Sequence, residues 1–372
     1  MRDIGIYVHI PFCVKKCDYC DFTSFGNVKE EIIYNYIKEL NNNIKEELTK
    51  EKYDVKTVYF GGGTPSYINS NYIVEILNTI KQNSIIDKNA EITIEVNPGT
   101  VTKEKLQQYK NAGINRLSIG LQETHNNLLK SIGRIHSYED FLSTYNLARE
   151  TGFNNINVDL IIGLPKQSIQ DIKENLERII NLKPEHISVY SLILEENTVL
   201  YNKYQNGEIE LPSDIQERNM YWYVKNTLEN NGFKHYEISN FSRPGLESKH
   251  NTDCWKQKEY LGFGLSAHSY IDGKRYSNEM DEKNIIYKFK KVIHEEQDTE
   301  SMQKEYMLLG LRMIDGVSIR EFKNKFSDNP IFIFRKELEK LVNEQLLKID
   351  GDRIKLTNKG LDLANIVWEE FI

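Results

Sequence analysis

The chain has 372 residues, 39% of them hydrophobic, which suits two or three domains or one large barrel with an appendage. A net charge of −7 gives no support to general nucleic-acid binding, and no run of about eighteen uncharged apolar residues offers a bilayer span. Four cysteines, three of them within eight residues, point to a reducing compartment and metal chemistry and away from a disulfide scaffold. Met1 and the next residues lead straight into the first expected strand, so no signal peptide is expected.

That strand covers residues 4–9. Cys13, Cys17 and Cys20 follow it with C-x3-C-x2-C spacing and no fourth cysteine nearby. Three thiols this close cannot all pair with one another, but a loop leaving a strand can wrap them round one metal centre. Structural zinc usually takes four ligands. A four-iron cluster held by three thiolates keeps one iron open to an outside ligand. A zinc site completed by His9, or three ordinary thiols, are the alternatives that spacing alone leaves.

Residues 28–49 carry Val28, Ile32, Ile33, Tyr36, Ile37, Leu40, Ile44 and Leu48 on one helical face. A buried strand at 57–60 runs into Gly61, Gly62, Gly63, Thr64 and Pro65, and a helix follows at 70–82. Strands are expected at 91–96, 116–120, 155–161 and 186–190. Helices are expected at 103–111, 125–131, 138–150 and 169–180. About six strand–helix units in this order mean a parallel sheet with crossover helices, open or closed as an α/β barrel. Such a barrel places its ligands at the C-terminal ends of its strands.

Residues 191–300 read as less regular, with a helix near 213–231, a strand at 233–238 and a polar loop holding Pro244 and Gly245. From residue 302 the pattern changes. Helices at 306–313, 318–326 and 330–344 precede a hairpin of 347–349 and 353–356, the outline of a winged helix. Residues 302–372 hold 12 basic and 12 acidic side chains, and a neutral module is a poor phosphate binder. A lid or docking element is therefore expected there, and no nucleic-acid partner.

Polar residues stand where barrel ligands would be. The three glycines let the backbone approach a ligand closely, and the G-x-G-x-x-G of a dinucleotide site is absent. Glu95 ends the third strand, Gln122 follows the fourth, and Arg134 lies a little beyond. Asp159 interrupts an apolar strand, where a carboxylate is costly without a partner.

The cysteine spacing, with the words around it from Tyr7 to Cys13 and from Tyr19 to Phe22, resembles the radical S-adenosylmethionine (SAM) superfamily. Within it the chain resembles the oxygen-independent coproporphyrinogen III oxidases and their relatives. The resemblance implies a partial (β/α)6 barrel, with a [4Fe-4S] cluster on Cys13, Cys17 and Cys20 and SAM on the open iron. It implies SAM contacts from Gly61, Gly62, Gly63 and Thr64 to the amino group. Glu95, Gln122 and Arg134 would hold the methionine and ribose groups, and Asp159 the ribose. Tyr7 joins this cofactor-binding set. The implied organisation is a radical SAM barrel over 1–235, a connecting region over 236–300 and a winged-helix-like module over 301–372.

Two features depart from the true oxidases. Phe22 occupies the place of a further cysteine, and the oxidases' segment ahead of the cysteine motif has no counterpart. Both resemble the heme-chaperone (HemW-type) branch, which carries an H-N-x-x-Y-W motif. Here His250, Asn251 and Trp255 match it, and Cys254 replaces the tyrosine. A heme site needs an axial ligand and a flat wall, and His250 with Trp255 supplies one of each. Cys254 would be a second ligand or a point of covalent attachment. The branch implies a cytoplasmic heme carrier serving acceptor hemoproteins such as respiratory cytochromes, at the membrane surface, with a homodimer among the possible assemblies. The rival implied by the wider family is oxidative decarboxylation of coproporphyrinogen III.

Overall fold

The computed structural model describes residues 1–282 and 285–372. Six parallel strands build its centre: β1 (Arg2–Ile10), β2 (Tyr53–Gly62), β3 (Ile85–Val96), β4 (Arg116–Gln122), β5 (Ile156–Ile162) and β6 (His186–Ser191). The main crossover helices are α1 (Glu30–Leu48), α2 (Ser70–Asn83), α3 (Lys103–Asn111), α4 (Tyr138–Glu150) and α5 (Ile169–Asn181). Strand alternation divides the labour. Ile4, Ile6, Val8 and Ile10 of β1 are buried in one core with Ile33, Tyr36, Ile37 and Leu40 of α1. The intervening Tyr7 and His9 face inward, as do Thr57 and Tyr59 of β2. Helices cover the outer face, which is why these strands read as apolar runs.

The helix ends obey local chemistry. Ser137 and Ser168 each accept from the backbone N–H three residues on and close a capping box, with Asp140 and Asp171. Gly113 and Gly152 stop α3 and α4 at φ values of 95° and 88°.

The barrel stays partial. β6 pairs antiparallel with Asn240–Ser242, and the free edge of β1 pairs parallel with Tyr260–Phe263. The sheet then continues outward through His268–Ile271, Lys274–Met280 and Phe289–Glu296, giving twelve strands in one order. These outer strands correct the expectation of an irregular 191–300. They alternate poorly, because Phe289–Glu296 is solvated on both faces. One signal was available: Asp272 and Gly273, both at positive φ, form a two-residue hairpin turn. Leu261, Phe263, Leu265 and Tyr276 pack into the main core, so this region forms no core of its own. The expected polar loop also hides a helix, α6 (Lys249–Trp255), capped by Ser248.

A second core gathers Met307, Leu311, Phe322, Leu338, Leu341, Ile354 and Phe371. Its helices Thr299–Gly310, Ile319–Phe326 and Arg335–Asn343, with the hairpin of Leu347–Asp350 and Arg353–Leu356, have the winged-helix outline. The helix expected over 330–344 breaks at Phe334, and two short helices close the chain at Asn358–Asp362 and Ala364–Glu369.

Gly262 marks where the sheet turns from barrel to extension. A Cβ there would overlap the backbone carbonyl of His268. Gly262→Ala is expected to cost roughly 3 kcal/mol through forced separation of the two strands, read as a lower midpoint in urea.

Candidate functional site

The cysteine loop is fastened before any metal arrives. β1 ends at Ile10, and Phe12–Cys13 pairs parallel with Phe25–Gly26, which closes the loop on itself. Gly63 N–H donates to Ile10 O at 2.9 Å and Thr64 N–H to Phe12 O at 2.8 Å, tying the loop to the turn after β2. Gly63 has to be glycine: a Cβ would stand 2.9 Å from both Phe12 N and Phe12 O and 3.0 Å from Cys13 Sγ. Two side chains aim at the sulfurs. Thr64 Oγ1 donates to Cys13 Sγ at 3.5 Å, and Arg134 Nη1 donates to Cys17 Sγ at 3.4 Å. Cys20 N–H donates to Cys17 O at 3.3 Å, so these two cysteines share one short turn just beyond the strand that ends at Cys13. Burial raises the Cys13 thiol and pushes Cys20 up to about 11, so iron would displace protons here on binding.

Zinc completed by His9 does not fit. Both ring nitrogens of His9 are engaged, Nδ1 with Tyr7 Oη at 3.1 Å and Nε2 with Thr23 O at 2.9 Å. Among the described residues no group of three or more His, Cys, Asp or Glu side chains is arranged to hold a single metal ion. A four-iron cluster spreads its thiolates over separate irons, so its sulfurs need not crowd one point. The donor set, all thiol and three in number, fits that group.

A cavity of about 430 Å³ opens beside the cysteines at the C-terminal ends of the strands. Gly62, Gly63 and Thr64 form one wall and Glu95 the next. Gln122, Arg134 and Asp159 complete the ring, and Phe22 stands at the mouth with 63% of its surface exposed. Gly120 keeps this wall thin, since a Cβ there would come 3.1 Å from both Arg134 Nη2 and Gln122 Nε2.

The carboxylates are tuned by what surrounds them. Desolvation, then the charge of Asp159, raises Glu95 to about 7. Tyr59 Oη donates to Glu95 at 2.9 Å and partly offsets this. Asp159 is also raised by desolvation, against bonds from Asn157 at 2.7 Å and Ser118 at 3.2 Å. Arg116, 2% exposed, lies within the barrel and opposes both shifts.

Three residues of the expected cofactor-binding set do not line this cavity. Tyr7 does not reach the cavity wall; its ring stacks 6.2 Å from Tyr59 inside the barrel. Gly61 faces Tyr7, Tyr59 and Glu95 and sits behind the wall. His250 is not presented to a ligand in an open loop: it is 6% exposed, reaching from α6 into the barrel floor. Its Nδ1 meets Thr57 Oγ1 at 2.9 Å and its ring stacks 5.2 Å from Tyr59. The backbone N–H groups of Lys249 and His250 both donate to the buried Glu91 carboxylate at 3.1 Å. Burial pushes the Cys254 thiol up to about 12, which makes it a poor ligand or nucleophile. Beneath the barrel a cleft of about 640 Å³ separates α6 from the second core, with Trp255, Lys249 and Lys256 on its α6 side.

Sequence reasoning passed over Arg116, Asn97 and Tyr59. Arg116 carried the same signal as Asp159, a charge in a buried strand. Asn97 stands two residues beyond Glu95 and touches both Thr64 and Arg134.

Residues 7–179 match the radical SAM superfamily and residues 299–363 match the HemN C-terminal domain. The fold resembles the coproporphyrinogen III oxidase HemN of Escherichia coli with a TM-score of 0.82, at 24% identity over 100% of this chain and 90% of that one. The three-cysteine loop over a partial barrel thus defines a radical SAM protein, a class that carries a [4Fe-4S] cluster with SAM bound to it. The heme chaperone HemW of Lactococcus lactis is 37% identical, covering 98% of this chain and 96% of its own length. HemW of Bacillus subtilis is 36% identical over 98% of both. The chain belongs to the HemW family.

The raised Glu95 gives a pH signature. The folded chain holds a proton there that the unfolded chain releases between about pH 4.5 and 7. The stability from this group is complete at the lower pH and is lost as pH rises through 7. The melting temperature of the metal-free protein, minus that of Glu95→Gln, should therefore fall across this window; a flat difference would refute the assignment.

Proposed function

We propose that the protein binds heme and delivers it to acceptor hemoproteins, respiratory cytochromes foremost, in the cytoplasm at the membrane surface. Cys13, Cys17 and Cys20 would hold the cluster, and the cavity above β2 to β5 would hold SAM. A cluster held there would supply one electron to SAM in the rival decarboxylation reading.

The observation that carries the heme reading is α6, which holds the buried His250 and sets Trp255 on the wall of the 640 Å³ cleft. Burial lowers His250 to about 4, so its imidazole is neutral and keeps a lone pair at physiological pH. Thr57 holds Nδ1, which leaves Nε2 as the atom to meet iron. Trp255 would offer an indole wall, and Lys249 and Lys256 would meet carboxylates on the ring edge. Loading requires the groups that cover the Nε2 side of His250 to part from it, since the residue is 6% exposed.

Phe22 at the cavity mouth supports carriage over decarboxylation, since it brings no thiol to the site. Anaerobic titration with hemin, at a temperature where both stay folded, should show His250→Ala retaining heme at least tenfold more weakly than wild type, although loss of the buried ring lowers its melting temperature. Conversion of coproporphyrinogen III to protoporphyrinogen by the reconstituted protein with SAM would overturn the carrier reading.

A further inference from the structure

Asn97 follows the C-terminal end of β3 by one residue, and its carboxamide is engaged on both sides. Arg134 Nη2 donates to Oδ1 at 3.0 Å, and Nδ2 donates to Thr64 Oγ1 at 2.9 Å. A guanidinium can only donate, so the amide oxygen has to face Arg134 and the amide nitrogen Thr64. That orientation propagates. Having accepted from Asn97, the Thr64 hydroxyl points its own hydrogen onward, to Cys13 Sγ at 3.5 Å. The other guanidinium nitrogen of Arg134 donates to Cys17 Sγ at 3.4 Å. One amide therefore directs the donors that end on two of the three sulfurs.

The backbone that carries the amide is held still. Asn97 N–H donates to Ser66 Oγ at 3.1 Å, and Thr100 Oγ1 donates to Asn97 O at 2.6 Å. Ser66 is fully buried, and its hydroxyl bonds Thr100 Oγ1 at 2.6 Å, which closes the ring. A swing of the amide would break its two side-chain bonds, and the backbone that carries it is pinned by two more.

We propose that Asn97 is a positioning residue that sets the electron affinity of the cluster. The inference rests on Cys13, Cys17 and Cys20 holding a [4Fe-4S] group. A donor aimed at a cluster sulfur draws off charge and favours the reduced, more negative state, so it raises the reduction potential. Asn97 touches neither sulfur; it orients the Thr64 hydroxyl and, together with the Gly120 carbonyl, holds Arg134 Nη2.

The test is a dye-mediated redox titration of the reconstituted protein, followed by electron paramagnetic resonance. Asn97→Ala should move the midpoint to a more negative potential at unchanged iron and sulfide content. Asn97→Asp should move it further, because the carboxylate adds charge and draws the Thr64 hydrogen away from Cys13. Thr64→Val should follow Asn97→Ala, whereas Thr64→Ser, which keeps the hydroxyl, should match wild type; this pair decides the matter if the Asn97 variants fold poorly. Equal midpoints across a set carrying full clusters overturn the role of Asn97 alone. Wild type that takes up no cluster overturns this inference together with the metal assignment.

Discussion

A buried arginine governs the barrel interior. Arg116 is 2% exposed, and an ion cut off from water costs several kcal/mol unless opposite charge and hydrogen bonds meet it. Glu95 and Asp159 stand on the neighbouring strands, and the charge of Arg116 draws both toward ionisation against their desolvation. Around them runs a network of neutral donors and acceptors: Ser118 and Asn157 on Asp159, then His186 on Asn157 at 2.6 Å and on Tyr236 at 2.8 Å. Both buried histidines facing Arg116, His186 and His250, are driven toward the neutral form by desolvation and by its charge. Hydrogen bonds thus join many of the polar side chains that fill the barrel, while Arg116 Nε stays buried without a partner.

Backbone anchors explain why the metal loop sits where it does. Two backbone bonds and one obligatory glycine clamp residues 10–13 to the turn after β2, so the cysteines cannot drift from the carboxylate end of the strands. Asp18 adds a second anchor: its side chain pairs with Lys203 at 2.7 Å and its N–H donates to Ile132 O at 3.1 Å. Positioning is achieved by backbone geometry first, and the charged side chains then tune what is already in place.

Much of this was legible in the residue order. The parallel units could be read because each inner strand carries a buried apolar run and each crossover helix a matching stripe. Gly113 and Gly152 marked the ends of α3 and α4 to within two residues. Asp159 announced itself as a charge in an apolar strand, and the cysteine spacing announced a three-thiol centre. The rest depended on contacts between distant parts of the chain. His250 meets Thr57 across 193 residues, and nothing in the polar stretch around it indicated burial. The outer strands carry polar residues on both faces and so lack the alternation that marks a half-buried strand. Asn97 has its meaning only once Thr64 and Arg134 are seen on either side of it.

The junction between the barrel and the second core holds one more property. Arg312 lies between two indoles, 4.3 Å from the Trp255 ring and 4.9 Å from the Trp368 ring. Trp222 packs against the second core and donates to Asp362 at 2.8 Å. The chain has three tryptophans, and all of them stand at this seam. Its ultraviolet emission is therefore a built-in gauge of one place, and any parting of the two bodies alters the light of every fluorophore of that kind at once.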